Sequence, residues 1–155
     1  LLYFNYGRYL LCASSATAEL PANLQGKWNE DLTPAWNCDY HHDINLQMNY
    51  WPAETTGMQA YAEALLRHIE RFVPHARTAA RDLYGCRGLW FPIQTDAWGR
   101  ATPESRNYAV WVGAAPWLGQ DRWHDQCLHF TQHWSPTFDN RTQDGAGCSG
   151  AMRRH

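Results

Sequence analysis

Charge is what this chain has least of. Asp, Glu, Lys and Arg make up only 18% of its 155 residues, against about a quarter in an ordinary soluble domain. The formal net charge is −2 and the pI is near 6.5. Nothing in that balance fits a nucleic-acid or membrane-surface partner. No apolar run reaches the roughly 18 residues of a membrane span. GxGxxG, P-loop, HExxH and GxSxG patterns are missing, as is any repeat of fixed period, so those nucleotide, zinc-protease, serine-hydrolase and solenoid signatures fall away. The cysteines, Cys12, Cys38, Cys86, Cys127 and Cys148, form no CxxC pair and no zinc spacing. They read as free thiols and leave the compartment open. Leu1 opens inside an apolar, Tyr-rich run with no initiator Met, basic n-region or cleavage site. The chain is therefore expected to start inside a longer one, and a secreted or periplasmic address stays open.

What is present is aromatic. Nine Trp, eight Tyr and five Phe make 14% of the chain, and hydrophobic residues make 45%. The length suits one domain. Rings in such number with so few charges suit a ring-lined pocket or a piece of a larger body.

Periodicity predicts an all-α fold. Leu2, Tyr6, Tyr9, Leu10 and Ala13 recur at helical steps before Ser14 and Ser15 break the pattern. A long connection, Glu19 to Asp39, is restricted by Pro21 and Pro34, and its Trp28 and Trp36 argue for order. Ile44 to Trp51 fits a short helix, with Asp39 or Asp43 as candidate caps and Pro52 as its stop or kink. Gln59 to Phe72 is the clearest amphipathic helix: Tyr61, Leu65, Ile69 and Phe72 share a face, and Glu63 pairs with Arg67 on the other. Pro74 is expected to break it, with a second helix over His75 to Leu83 and Gly85 as C-cap. Ala109 to Phe130 returns to helix with a kink near Pro116, and Ser135 to His155 loses all periodicity. No convincing strand run is found.

Two stretches mix polar chemistry with rings. The first, Asp39 to Glu54, holds two His, three carboxylates, two Asn, a Gln, two Tyr and a Trp. The second is Gln94-Thr95-Asp96-Ala97-Trp98, on a loop, where sites usually lie. Sugar-binding proteins need fixed groups for hydroxyls and flat rings for the apolar face of a pyranose. The competing reading is a buried network whose polar groups satisfy one another. If both stretches line one cleft, Asp39, Asp43 and Asp96 are candidates for acid/base work, and glycoside hydrolysis commonly needs two carboxyl groups. His41, His42, Asp43 and Asp39 also raise a metal reading, but neighbouring side chains point in different directions.

Three motifs then resemble the start of the catalytic domain of glycoside hydrolase family 95, the alpha-L-fucosidases, some acting on alpha-L-galactosides. They are Tyr6-Gly7-Arg8-Tyr9-Leu10, Leu20 to Asn29 (LPANLQGKWN) and Asp43 to Glu54 (DINLQMNYWPAE). Leu83 to Gly88, then Thr95-Asp96-Ala97-Trp98, continue the likeness, which covers roughly residues 1–134 as a partial catalytic domain and leaves 135–155 as an unmatched tail, expected to be disordered. The resemblance implies an (α/α)6 barrel, here incomplete, and inverting hydrolysis of terminal alpha-L-fucosides without metal or other cofactor. The implied partner is a fucosylated oligosaccharide or glycan.

In that family a His-x-Asn-x-Asn stretch lies at the sugar, and its Asn residues help to orient the attacking water. Here it reads His41-His42-Asp43-Ile44-Asn45. The resemblance makes Asn45 and Asp43 the catalytic candidates, with Asp43 in place of the first Asn. It makes His41, Thr95, Asp96 and Trp98 the substrate-binding ones. The family's HNTD loop reads Ile93-Gln94-Thr95-Asp96, keeping only its last two residues. The family's general acid Glu lies further along the barrel than this chain reaches, and Glu104 comes too early to replace it. The runner-up reading is a non-catalytic sugar-binding helical module. A purely structural helical domain is the third.

Overall fold

The computed structural model describes residues 1–104 and 110–120. Their order is helix α1 (Leu2–Ser15), a 3-10 turn (Ala35–Cys38), strand β1 (Tyr40–His41), helices α2 (Asn45–Tyr50), α3 (Pro52–Thr55) and α4 (Gln59–Tyr84), and strand β2 (Gln94–Thr95). Residues 114–120 are helical again. The described chain is mostly helical, as periodicity predicts. The continuation of that last helix toward Phe130 and the expected tail lie outside the described residues.

α4 is the spine. Leu65, Ile69 and Phe72 are buried on its inner face, and Ala76, Ala79 and Ala80 carry that face onward with small side chains. One correction concerns Pro74. It does not split the helix: all 26 residues from Gln59 to Tyr84 run as one element. Pro74 and Glu70 are both exposed, so the missing Pro74 N–H falls on the wet side of the helix. Gly85, with φ of +60°, takes the left-handed C-cap, and Cys86 and Gly85 donate to the Ala80 and Arg81 carbonyls. The Gly85 bond is the 5→1 bond of an αL ending, which glycine adopts without a Cβ clash.

A second correction is that strands exist. β1 and β2 form an antiparallel ladder, Tyr40 opposite Thr95 and His41 opposite Gln94. The His42 amide extends it to the Ile93 carbonyl at 2.7 Å. Alternation then sorts side chains. Tyr40 and His42 turn inward, and both rings lie against His68 of α4. Asp39 and His41 lie on the other side.

The third correction concerns caps. α2 begins after Ile44 with no side-chain cap bond, so neither Asp39 nor Asp43 caps it. Pro52 instead opens α3 at its first turn, where a missing N–H costs nothing. Two buried polar groups hold this segment. Tyr50 Oη meets Ser15 Oγ and the Ala22 amide, each at 2.7 Å, tying α1 and the long connection to α2. Gln47 donates to the His42 carbonyl at 2.7 Å.

α1 packs through Leu11, Ser14 and Ser15, with Cys12 partly buried beside them. Leu2, Tyr3, Phe4, Tyr6 and Tyr9 are all more than half exposed. The face that the helical spacing marks out is thus uncovered, as expected of part of a larger body. A groove of about 620 Å³ runs beside it, lined by Tyr3, Phe4, Trp28 and Met58 among others.

Phe72 is the keystone of the core. Its ring is 1% exposed and lies 4.8 Å from Phe91 and edge-on to His42 at 5.5 Å. Phe72→Ala is expected to remove about 3–5 kcal/mol of stability, read as a lower urea midpoint. A loss under about 1 kcal/mol would mean this cluster is not the core.

Candidate functional site

The ladder brings the two polar stretches together, though they are 53 residues apart. At its centre is His41. Asp39 Oδ1 lies 2.6 Å from His41 Nδ1, and the Gln94 amide nitrogen lies 3.3 Å from His41 Nε2. The Asp39 and His41 side chains are 9% and 10% exposed, so water screens the pair little. Burial pushes the Asp39 carboxyl up. The His41 bond and charge and the Arg100 charge oppose that shift, and the Asp43 charge adds to it.

The connection before β1 supplies a ring to this cluster. Trp36 stands edge-on to His41 at 5.7 Å and is 67% exposed. Its backbone is unusual. Trp36, Asn37 and Cys38 all lie in the left-handed region, with φ of 55°, 57° and 52°. Each such non-glycine residue costs roughly 1–2 kcal/mol. Outliers of this kind cluster at functional sites.

Asp43 and Asn45 follow at the head of α2. Asp43 Oδ1 is buried without a hydrogen-bond partner among the described residues. Asn45 is exposed, and its amide makes no hydrogen bond among them. Among the described residues the Asp43 Oδ1 and the Asn45 amide are therefore unspent, unlike the members of a self-satisfied network.

Thr95 and Asp96 are placed differently. Thr95 is fully buried and donates its hydroxyl to the Arg100 carbonyl at 2.7 Å. Asp96 Oδ1 accepts the Trp98 and Arg100 amides at 2.9 and 3.2 Å, and Oδ2 lies 3.5 Å from Arg100 Nε. Burial pushes the Asp96 carboxyl up, but those amides and the Arg100 charge outweigh it and hold it below the usual range. A carboxylate so held is a poor proton acceptor. Both residues shape the loop that presents Trp98, which is 84% exposed. Gly99 (φ +81°) lets this loop approach α4, since a Cβ there would sit 3.1 Å from the His75 ring. Arg100 also pairs with Glu104.

Sequence reasoning named Asp39 without its partner and missed the roles of Gln94, Trp36 and Arg100. The available signal was the Asp-x-His spacing, which puts both side chains on one face of a strand. Among the described residues no group of three or more His, Cys, Asp and Glu is arranged to hold a metal ion. None of their helices is long and apolar enough to cross a membrane.

A mostly helical scaffold thus presents a short polar ladder between exposed indoles. The chain belongs to glycosyl hydrolase family 95, whose catalytic-domain model matches residues 1–142. It is 38% identical over 141 residues to "Alpha-L-fucosidase 2" of Arabidopsis thaliana, covering 89% of this chain and 16% of that protein. It is 37% identical over 125 residues to "Probable alpha-fucosidase A" of Aspergillus niger, covering 79% and 16%. The protein of the same description from Aspergillus oryzae is 44% identical over 88 residues, covering 56% and 12%. The chain thus spans about a sixth of the length of the first two relatives.

Proposed function

We propose that this chain forms one wall of the active site of a glycoside hydrolase that removes terminal alpha-L-fucosyl or alpha-L-galactosyl residues from glycans with inversion. The observation that carries the reading is the pairing of His41 with Gln94, which joins both polar clusters in a chain of this family.

The roles are those that the family resemblance implies for these residues. The Asn45 amide and the Asp43 carboxylate hold the attacking water on the face of the sugar opposite the leaving oxygen. Water attacks the anomeric carbon, the bond to the leaving oxygen breaks, and the water's proton passes to a carboxylate base. A general acid protonates the leaving oxygen at the same time. Sugar hydroxyls bond to His41, and the exposed Trp98 and Trp36 offer flat faces to the apolar side of the pyranose. Thr95 and Asp96 hold the Trp98 loop in place. In this reading the general acid comes from polypeptide that completes an (α/α)6 barrel, as the family resemblance implies.

Two consequences are measurable. The 155-residue chain releases no L-fucose from a fucosylated oligosaccharide, whereas a longer polypeptide that completes the barrel does. Turnover by the 155 residues alone would overturn the division of the site. Binding of L-fucose without turnover by the longer form would replace the enzyme with a sugar-binding module.

A further inference from the structure

We propose that Asp39 is a positioning residue, which fixes the tautomer of His41 so that Nε2 is left as the acceptor for a hydroxyl of the bound sugar. The hydroxyl ligand rests on the hydrolase reading above; the tautomer does not.

Two contacts on opposite sides of one ring agree. A carboxylate only accepts hydrogen bonds, so Asp39 Oδ1, 2.6 Å from Nδ1, places the ring hydrogen on Nδ1. A neutral imidazole then has a bare lone pair on Nε2. The Gln94 side chain turns its amide nitrogen, a donor, to that same atom at 3.3 Å. A doubly protonated ring would instead call for the Gln94 oxygen there. The Asp39 bond is short, charge-assisted and shielded, so it sets the ring. The Gln94 contact is long, so a sugar hydroxyl at the usual distance of about 2.7–2.8 Å competes with it on favourable terms. Trp36, edge-on to the ring, limits its rotation.

Asp39 acts through His41 rather than on the sugar. Its side chain is 9% exposed, and the oxygen nearest the cluster is engaged by Nδ1. The other charges bearing on it are Arg100, which favours its ionised form, and Asp43, which opposes it. Ionisation matters, because a protonated carboxyl has a hydrogen of its own to donate.

The test reads the tautomer directly. Nitrogen NMR of the histidine-labelled chain, with His41 assigned by loss of its signal in His41→Gln, is expected to show hydrogen on Nδ1 and a bare Nε2 at neutral pH. Asp39→Asn keeps the shape but brings a donor to Nδ1, and moves the hydrogen to Nε2. Asp39→Glu keeps the carboxylate and restores part of the Nδ1–H signal. A wild-type ring with hydrogen on Nε2, or a tautomer unmoved in Asp39→Asn, overturns the proposal. In the longer enzyme, Asp39→Asn raises KM for 4-nitrophenyl alpha-L-fucoside roughly tenfold to a hundredfold, the usual effect of losing a charge-assisted bond, with a smaller change in kcat and partial rescue by Asp39→Glu. A KM unchanged in a variant whose tautomer has moved also overturns it. Wild-type enzyme inactive on every alpha-L-fucoside and alpha-L-galactoside sinks the hydrolase reading instead, and the NMR result then decides on Asp39 alone.

Discussion

In the longer enzyme, Asn45→Ala is expected to lower kcat by roughly a hundredfold to a thousandfold, with KM moving much less. That is the usual effect of deleting one fixed dipole aimed at charge that develops in the transition state. Asn45 opens α2, is exposed, and makes no hydrogen bond among the described residues. Its removal should therefore leave stability within about 0.5 kcal/mol, as for an ordinary surface change. A fall in activity with an unchanged melting curve assigns the loss to chemistry. Asp43 sharpens the test. Its Oδ1 is buried without a partner among the described residues, a cost that a bound water relieves. Asp43→Ala should lower kcat about as far as Asn45→Ala. Asp43→Asn restores the amide of the family pattern and should keep most fucosidase activity. If Asp43→Asn is as inactive as Asp43→Ala, the carboxylate is itself the base. If Asn45→Ala keeps full turnover, the water-holding role of this segment falls.

Much of the helical frame was legible from spacing. Leu65, Ile69 and Phe72 repeat at helical steps and are the buried face of α4, and Gly85 marked its end. Pro74 misled because proline stops a helix most surely where its missing N–H falls on the buried side, and here it falls on the wet side. The strands were illegible for a different reason. Two residues cannot show a period of two, and their partner lies beyond α2, α3 and α4, so no local signal encodes the pairing. The site shared that fate. Its two clusters stood out because polar groups and indoles are rarely mixed so densely without cause. The bond between His41 and Gln94 depends on a register that only the folded chain supplies. Thr95 and Asp96 show the converse. The motif identified them as site residues, yet Asp96 caps its own loop and Thr95 is buried beneath it. The likeness marked the loop, while the geometry shows which of its side chains face outward. The inner rings were missed altogether: nothing in the sequence says that His42 and His68 meet.

That meeting is expected to make the domain acid-labile. Stability is expected to fall steeply between about pH 6.5 and pH 4, because His42 and His68 are buried as neutral rings. His42 donates from Nδ1 to the Pro92 carbonyl at 2.9 Å, and its Nε2 lies 3.4 Å from His68 Nε2, so one shared hydrogen serves both. Phe72 and Phe91 close the pocket edge-on to His42, and Tyr40 stacks on His68. Burial first, then the neighbouring His68 ring, pushes His42 down to about 3; burial and the Arg71 charge push His68 down to about 4. Both values lie below the unfolded pKa, so the stability they confer is fully present above about pH 6.5. As pH falls below that, the unfolded chain binds protons that the folded chain refuses, and each ring removes about 1.4 kcal/mol per pH unit. The loss levels off only near the folded values. Two rings over two units approach the whole stability of a typical domain, about 5–15 kcal/mol. Asp39, whose carboxyl is raised, works the other way and offsets part of the loss at the acid end. Urea unfolding at about pH 7, 6 and 5 reads the slope, and His68→Leu should roughly halve it by leaving one titrating ring. Equal urea midpoints across that range would show that the two rings take up protons in place, and the neutral pair would no longer describe the core.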